Sequence, residues 1–326
     1  MNVVVNILIL IVGFVALIKG ADLFVDGSST LAKIFRVPGL IIGLTIVAYG
    51  TSTPELAVST LAAIEGSSEI AISNVVGSNI FNLLGVLGVC ALIYPVPVEK
   101  GLVKRDFPVS IGITVLVLVG ACYKVLFSGQ WLNVNMGETA GVVSRMLSIV
   151  ILVLFVCYTV YLIIDAKKHP ADEDNADLQP LWKSMLLIFV GIVFIVVGGR
   201  AVVYSARAIS QILGMTETLI GLTVVAVGTS LPELVTSIVA AKKGEAGMAV
   251  GNVVGSNIFN MMFILGLASV IQPVSVNIAT FWDLIILAII SIIAFVISLS
   301  KRTISRLEGA VMLLIYTAYM VFAILR

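Results

Sequence analysis

GTSTPE at Gly50–Glu55 returns as GTSLPE at Gly228–Glu233, each time inside an apolar stretch long enough to cross a bilayer. Each copy sets a carboxylate directly behind a proline. Bringing an ionised side chain to the centre of a bilayer costs at least ~2.5 kcal/mol even on the lenient insertion scales, so a glutamate there faces a cavity or a ligand. Pro54 and Pro232 have no amide hydrogen, which deprives the carbonyls of Gly50 and Gly228, four residues earlier, of their helical donors. Away from water those oxygens must meet a ligand or another polar group. Two matching copies point to one shared site.

Outward from these hexapeptides the likeness continues. Sliding the sequence along itself by 178 residues aligns Ile42–Gly88 with Ile220–Gly266 without a gap, and 28 of the 47 paired positions are identical. Shared hydrophobicity does not produce that agreement, so the chain carries a duplication. Stretches able to cross a hydrocarbon core of ~30 Å number ten. They are Val4–Lys33, Pro38–Ile64, Ile70–Tyr94, Pro108–Leu126, Gly141–Ile164, Lys183–Ile212, Thr218–Ala241, Gly247–Ile271, Phe281–Leu299 and Glu308–Leu325. Five spans separate equivalent points, and an odd number of crossings turns the second copy upside down. The expected fold is an all-α membrane protein of ten transmembrane helices in two inverted-topology repeats of five, residues 1–165 and 183–326, joined by a linker at 166–182. Inverted repeats meeting at the midplane are an architecture of secondary transporters, and channels are also built this way.

Composition agrees. Of 326 residues 60% are hydrophobic and 11% charged, with a mean hydropathy of +1.17, far from any soluble domain. The net charge is +1 and no basic tract is long enough to follow a phosphate backbone, which argues against nucleic acid. Cys90, Cys122 and Cys157 stand far apart in apolar sequence and read as small hydrophobes. The single histidine, His169, lies in the polar tract Asp165–Pro180, so zinc-protease and Ser–His chemistry inside the membrane is not expected. That tract reads as a solvated linker. The N-terminus lacks a basic leader and reads as the first span. Thirteen Lys and Arg residues fall on the linker side, among them Lys167, Lys168, Lys242 and Lys243, against four on the other. The linker is therefore expected in the cytoplasm and both termini outside it.

The repeated stretch is rich in oxygen. On a regular helix Thr51 and Ser52 would share a face with Glu55, and Thr229 and Ser230 a face with Glu233. GSNIFN occurs twice and places Ser78 four residues before Asn82 and Ser256 four before Asn260. Carboxylates, hydroxyls, amides and freed carbonyls suit hard cations such as Ca²⁺ and Na⁺, whereas zinc or copper would call for His or Cys. Gly43, Gly77, Gly221 and Gly255 are expected to serve close helix packing. Asp22 and Asp26 are expected at the interface.

With both motif pairs in view, the sequence resembles the Ca²⁺/cation antiporter superfamily, in particular the sodium/calcium exchangers. Their signature is G-T-S-x-P-E with G-S-N-x-x-N/D in each inverted repeat, and the likeness covers essentially the whole chain. It implies antiport of Ca²⁺ against Na⁺ by alternating access. Glu55 and Glu233 would bridge Ca²⁺. Thr51, Ser52, Ser78, Thr229, Ser230 and Ser256, with the carbonyls of Ala48 and Ala226, would complete flanking Na⁺ positions, and Asn82 and Asn260 would line the middle. Many members carry an acidic residue at one of the last two positions, where this chain has two asparagines. Proton-coupled relatives read G-N-x-x-E in the second motif, which is absent here. A proton-coupled exchanger and a passive cation channel are the alternatives. No cofactor and no obligate protein partner are expected, and the long, glycine-punctuated first and sixth spans could slide to switch access.

Overall fold

The computed structural model describes residues 3–128, 135–171, 179–214 and 226–325. Its helices are α1 Val3–Ile34, α2 Gly39–Thr51, α3 Thr53–Ile64, α4 Glu69–Ile93, α5 Leu102–Ser128 and α6 Arg145–Lys168 in the first half. The second half has α7 Leu181–Ile212, α8 Ala226–Thr229, α9 Leu231–Lys242, α10 Ala246–Ile271, α11 Ile278–Lys301 and α12 Arg306–Leu325. Among the described residues eight helices are individually long and apolar enough to span a membrane. A ninth span is the α2–α3 pair, bent by 50° at Ser52. The count of ten is thus not reached. The expected seventh span, Thr218–Ala241, begins at residues outside the described set and continues as α8 and α9, which break at Ser230.

The breaks fall where the prolines require. Pro54 and Pro232 each stand in the first turn of a new helix, where a missing amide hydrogen costs nothing. Within the duplicated stretch α3 recurs 178 residues later as α9, α4 as α10, and even the π-helical turn Asn82–Val86 as Asn260–Ile264.

The membrane fold is all-helical as expected, and four short strands lie in its connections: β1 Val96–Pro97, β2 Thr139–Val143, β3 Val274–Asn277 and β4 Thr303–Ile304. β1 pairs with β4 and β2 with β3, both antiparallel and both joining one half to the other. In PVPV at 95–98 and PVSVN at 273–277 valine recurs at every second position, a period that suits a ribbon rather than a helix. The span begun at Gly141 therefore starts later, at α6, where the Ser144 hydroxyl accepts the Leu147 amide as an N-cap.

Layering follows from burial. In α4 and α10, 78% of the most apolar window is buried, against 11% in α12 and 22% in α1, so α4 and α10 form the centre and the others face outward. Close approach of α2 to α10 depends on glycine. A Cβ on Gly43 would lie 2.5 Å from the Met248 carbonyl, and one on Gly255 2.6 Å from Leu44 Cα. Gly77 does not share this packing role among the described residues, where a Cβ would meet nothing within 4 Å; Gly221 lies outside them. Outside the centre, α1 and α7 run antiparallel in contact along their length, with Gly20 against Ile195 and Gly191 against Phe24.

Candidate cation site

Glu55 and Glu233 start α3 and α9 and are completely buried. A buried carboxylate retained for structure is normally neutralised by a cation. Asp106, on α5, shows what that looks like: Arg105 Nε donates to it at 2.6 Å, Arg105 also reaches Asp165, and the Tyr158 hydroxyl donates at 2.9 Å. Among the described residues Glu55 and Glu233 have no such neighbour. Lys19 on α1 and Arg200 on α7 are exposed.

What the glutamates have is each other's serines. Ser52 donates to Glu233 Oε1 at 2.7 Å and Ser230 donates to Glu55 Oε1 at 3.0 Å. The expectation that each serine would turn to its own glutamate is corrected here. Ser52 and Ser230 are the residues at which the helices break, so the three-residue spacing of an unbroken helix does not apply, and both hydroxyls reach across to the opposite half. Ser78 lies against the Glu55 carboxylate, and Thr51 and Ser256 against that of Glu233. The two carboxylates are within electrostatic range of one another.

The Ala48 carbonyl accepts the Ser52 amide at 3.0 Å, Thr51 Oγ1 at 3.3 Å and Ser256 Oγ at 3.5 Å. Thr229 is buried at the end of α8. Ala226 opens α8 at the edge of the described residues, and the turn before it lies outside them. Asn82 and Asn260 are fully buried at the π turns of α4 and α10, a distortion common at functional sites because it re-aims side chains.

Four oxygens then stand out. Glu55 Oε2, Glu233 Oε2, Asn82 Oδ1 and Asn260 Oδ1 are buried and have no hydrogen-bond partner. They form two pairs related by the 178-residue shift. An acceptor buried without a donor typically costs ~1–3 kcal/mol, more when charged, so four together call for something positive between them. Among the described residues no three His, Cys, Asp or Glu side chains converge, which leaves two formal charges and otherwise neutral oxygen donors.

Sequence reasoning passed over a supporting layer. Asn252 Nδ2 donates to Ser237 at 2.9 Å and to the Glu233 carbonyl at 3.4 Å, while its Oδ1 accepts from Thr51 at 3.0 Å. Asn74 likewise donates to Ser59 at 3.0 Å and to the Glu55 carbonyl at 3.4 Å. Asn79 and Asn257 complete the layer. The available signal was NVVGSN, present at both 74–79 and 252–257.

Comparison with known proteins places the chain in a family. The family model described as sodium/calcium exchanger protein matches residues 5–164 and 183–325, nearly the whole chain in two blocks. The chain belongs to the sodium/calcium exchanger family. As a family member it is a multi-pass membrane protein and a cation antiporter rather than an enzyme. It is 34% identical to the sodium/calcium exchanger MaX1 of Methanosarcina acetivorans, over 98% of each chain. It is also 34% identical to the inner membrane protein YrbG of Escherichia coli, over 87% of this chain and 86% of the other. Among solved structures, the sodium-calcium exchanger NCX_Mj soaked with Na⁺ and Sr²⁺ superposes with a TM-score of 0.81 at 29% identity, over 98% of this chain and 99% of that one.

Proposed function

We propose that this antiporter exchanges Ca²⁺ for Na⁺ at a single central site built on Glu55 and Glu233. The observation that carries the reading is the set of four partnerless buried oxygens, two carboxylate and two amide, contributed equally by the two halves. Thr51, Ser52, Ser78, Thr229, Ser230, Ser256 and the carbonyls of Ala48 and Ala226 provide the remaining oxygen for flanking Na⁺. Such a set matches the all-oxygen coordination that hard cations prefer. The ions are the cargo, and the cycle uses no cofactor and no obligate protein partner.

Exchange follows from charge. With no guanidinium or ammonium beside them among the described residues, two carboxylates held away from water cost several kcal/mol each to desolvate, so the ion-free site crosses between faces reluctantly. Either Ca²⁺ or Na⁺ lowers that barrier by neutralising the pair. The two ions compete, and each returns only when the other has left. Two formal charges balance one Ca²⁺, with amide dipoles from Asn82 and Asn260 where many relatives carry a third acid.

Ten helices in two inverted repeats, residues 1–165 and 183–326 about the 166–182 linker, place equivalent residues on opposite sides of the midplane and support alternating access. With the linker cytoplasmic, both termini lie outside. The test is Ca²⁺ uptake into proteoliposomes driven by an outward Na⁺ gradient. Glu55→Gln and Glu233→Gln should each abolish it, and undiminished uptake in either would overturn the assignment. Uptake that ignores the opposing ion would indicate a channel, and uptake that follows a pH gradient at constant Na⁺ would indicate proton coupling.

A further inference from the structure

An asparagine can present either end of its amide to a cavity: the oxygen attracts a cation and the NH₂ repels one. In Asn82 and Asn260 the NH₂ is bonded and the buried oxygen is the end left without a partner. We propose that Asn79 and Asn257 are positioning residues that enforce this choice. The inference rests on the reading of the central cavity as the transport site.

A chain of forced donors and acceptors leads to it. A main-chain carbonyl can only accept. Asn79 Nδ2 donates to the Asn257 carbonyl at 3.1 Å, and Asn257 Nδ2 donates to the Asn79 carbonyl at 3.1 Å, so both NH₂ groups are committed. Each Oδ1 is thereby turned the other way, where it can bond only to a donor. Asn79 Oδ1 accepts from Asn260 Nδ2 at 3.0 Å, and Asn257 Oδ1 accepts from Asn82 Nδ2 at 3.2 Å. With those NH₂ groups committed in turn, the oxygens of Asn82 and Asn260 have one direction left. All four side chains are at most 1% exposed, so water does not compete for the bonds.

The chain of four amides has no charged member and crosses between the two halves. It converts two side chains that are indifferent to orientation into fixed cation acceptors, without adding charge to a cavity that holds two carboxylates. Removing Asn79 frees the Asn260 amide to rotate. A carboxylate at position 260 has an oxygen whichever way it turns and needs no orienting.

That difference supplies the test, read as the KM for Ca²⁺ in Na⁺-driven uptake by purified, monodisperse protein. Asn79→Leu should raise KM roughly tenfold, as for loss of one oriented acceptor. Adding Asn260→Asp should return KM to the wild-type value or below, whereas a purely structural defect at Asn79 would not be repaired by an acid elsewhere. If Asn79→Leu does not fold, the mirror pair Asn257→Leu with Asn82→Asp asks the same question. Unchanged KM in the leucine variant, or no rescue by the aspartate, overturns the inference. Glu55→Gln run alongside separates the two levels: its loss of transport with failed rescue sinks only the positioning role, and its retention of transport sinks the site itself.

Discussion

The inner helices of the two halves agree bond for bond where they meet, and the long outer helices do not. Ser52 to Glu233 is repeated as Ser230 to Glu55, and Asn74 to Ser59 as Asn252 to Ser237. At the periphery the same 178-residue shift turns Asp22 into Arg200 and Lys243 into Glu65, reversing both charges. Only one of these peripheral pairs is engaged. Lys243 Nζ lies 2.7 Å from Asp26 and 3.4 Å from Asp22, and Ser29 donates to Glu245, so the end of α9 is tied to α1. α7 makes no comparable packing on α3, and among the described residues Arg200 and Glu65 form no ion pair. Atoms that meet at a common centre must be alike in both halves. Helices that merely dock need opposite charges, and which side carries which sign is free to change.

The strongest way to break the comparison is at the glutamates. If the halves are equivalent at the centre, Glu55→Gln and Glu233→Gln should lose Na⁺-driven Ca²⁺ uptake to the same degree, roughly a hundredfold or more, as for a charge that nothing else supplies. A large difference between the two would mean that one half dominates.

Asn252 and Asn74 offer a sharper contrast. Asn252 is fully buried and joins the halves through Thr51, whereas Asn74 is half-buried. Asn252→Ala should therefore destabilise the detergent-solubilised protein by ~1–3 kcal/mol, with Asn74→Ala toward the low end, as thermal unfolding would record.

At the periphery the effect is smaller, since partly exposed ion pairs contribute ~0.2–1 kcal/mol. In a background without the native cysteines, disulfide trapping between Ser29→Cys and Glu245→Cys should weaken with Lys243→Glu and recover with Asp26→Lys added. Glu65→Lys, whose side chain is not engaged, should leave trapping unchanged.

The smallest difference concerns position 99 and its equivalent 277, a glutamate in one half and an asparagine in the other. Burial, and secondarily the charge of Asp106, push the Glu99 carboxyl above its ordinary value of 4.5. Folding thus favours the protonated form, and the associated stability is complete below pH 4.5 and lost as pH rises through the raised value. Glu99→Gln should unfold at a higher temperature than the parent near neutral pH, with the gap closing below pH 4.5. Asn277, neutral and capping α11 by accepting the Thr280 amide at 2.9 Å, contributes no such dependence.

The burial of both glutamates was legible, because a carboxylate inside an apolar run leaves few physical options, whereas the breaks at Ser52 and Ser230 were not, since Pro54 and Pro232 announced freed carbonyls inside spans read as continuous. The crossed serine bonds were not, since a spacing rule within one helix says nothing about a partner 181 residues away. The asparagine chain was half legible: NVVGSN occurs twice, but its glycine and serine invited a packing explanation that holds for Gly255 and not for Gly77, which among the described residues has open space beside it. The ribbons were missed because strands of two to five residues carry little signal next to spans of more than twenty.

The crossed serine bonds have an evolutionary consequence. Damage to Ser52 is felt at Glu233, and damage to Ser230 at Glu55, so neither copy of the hexapeptide can drift while the other keeps watch. Duplicated segments usually diverge because one can shelter the other. Here each is hostage to its twin, and GTS-x-PE stands unaltered at both places within a chain whose outer helices have even exchanged the signs of their charges.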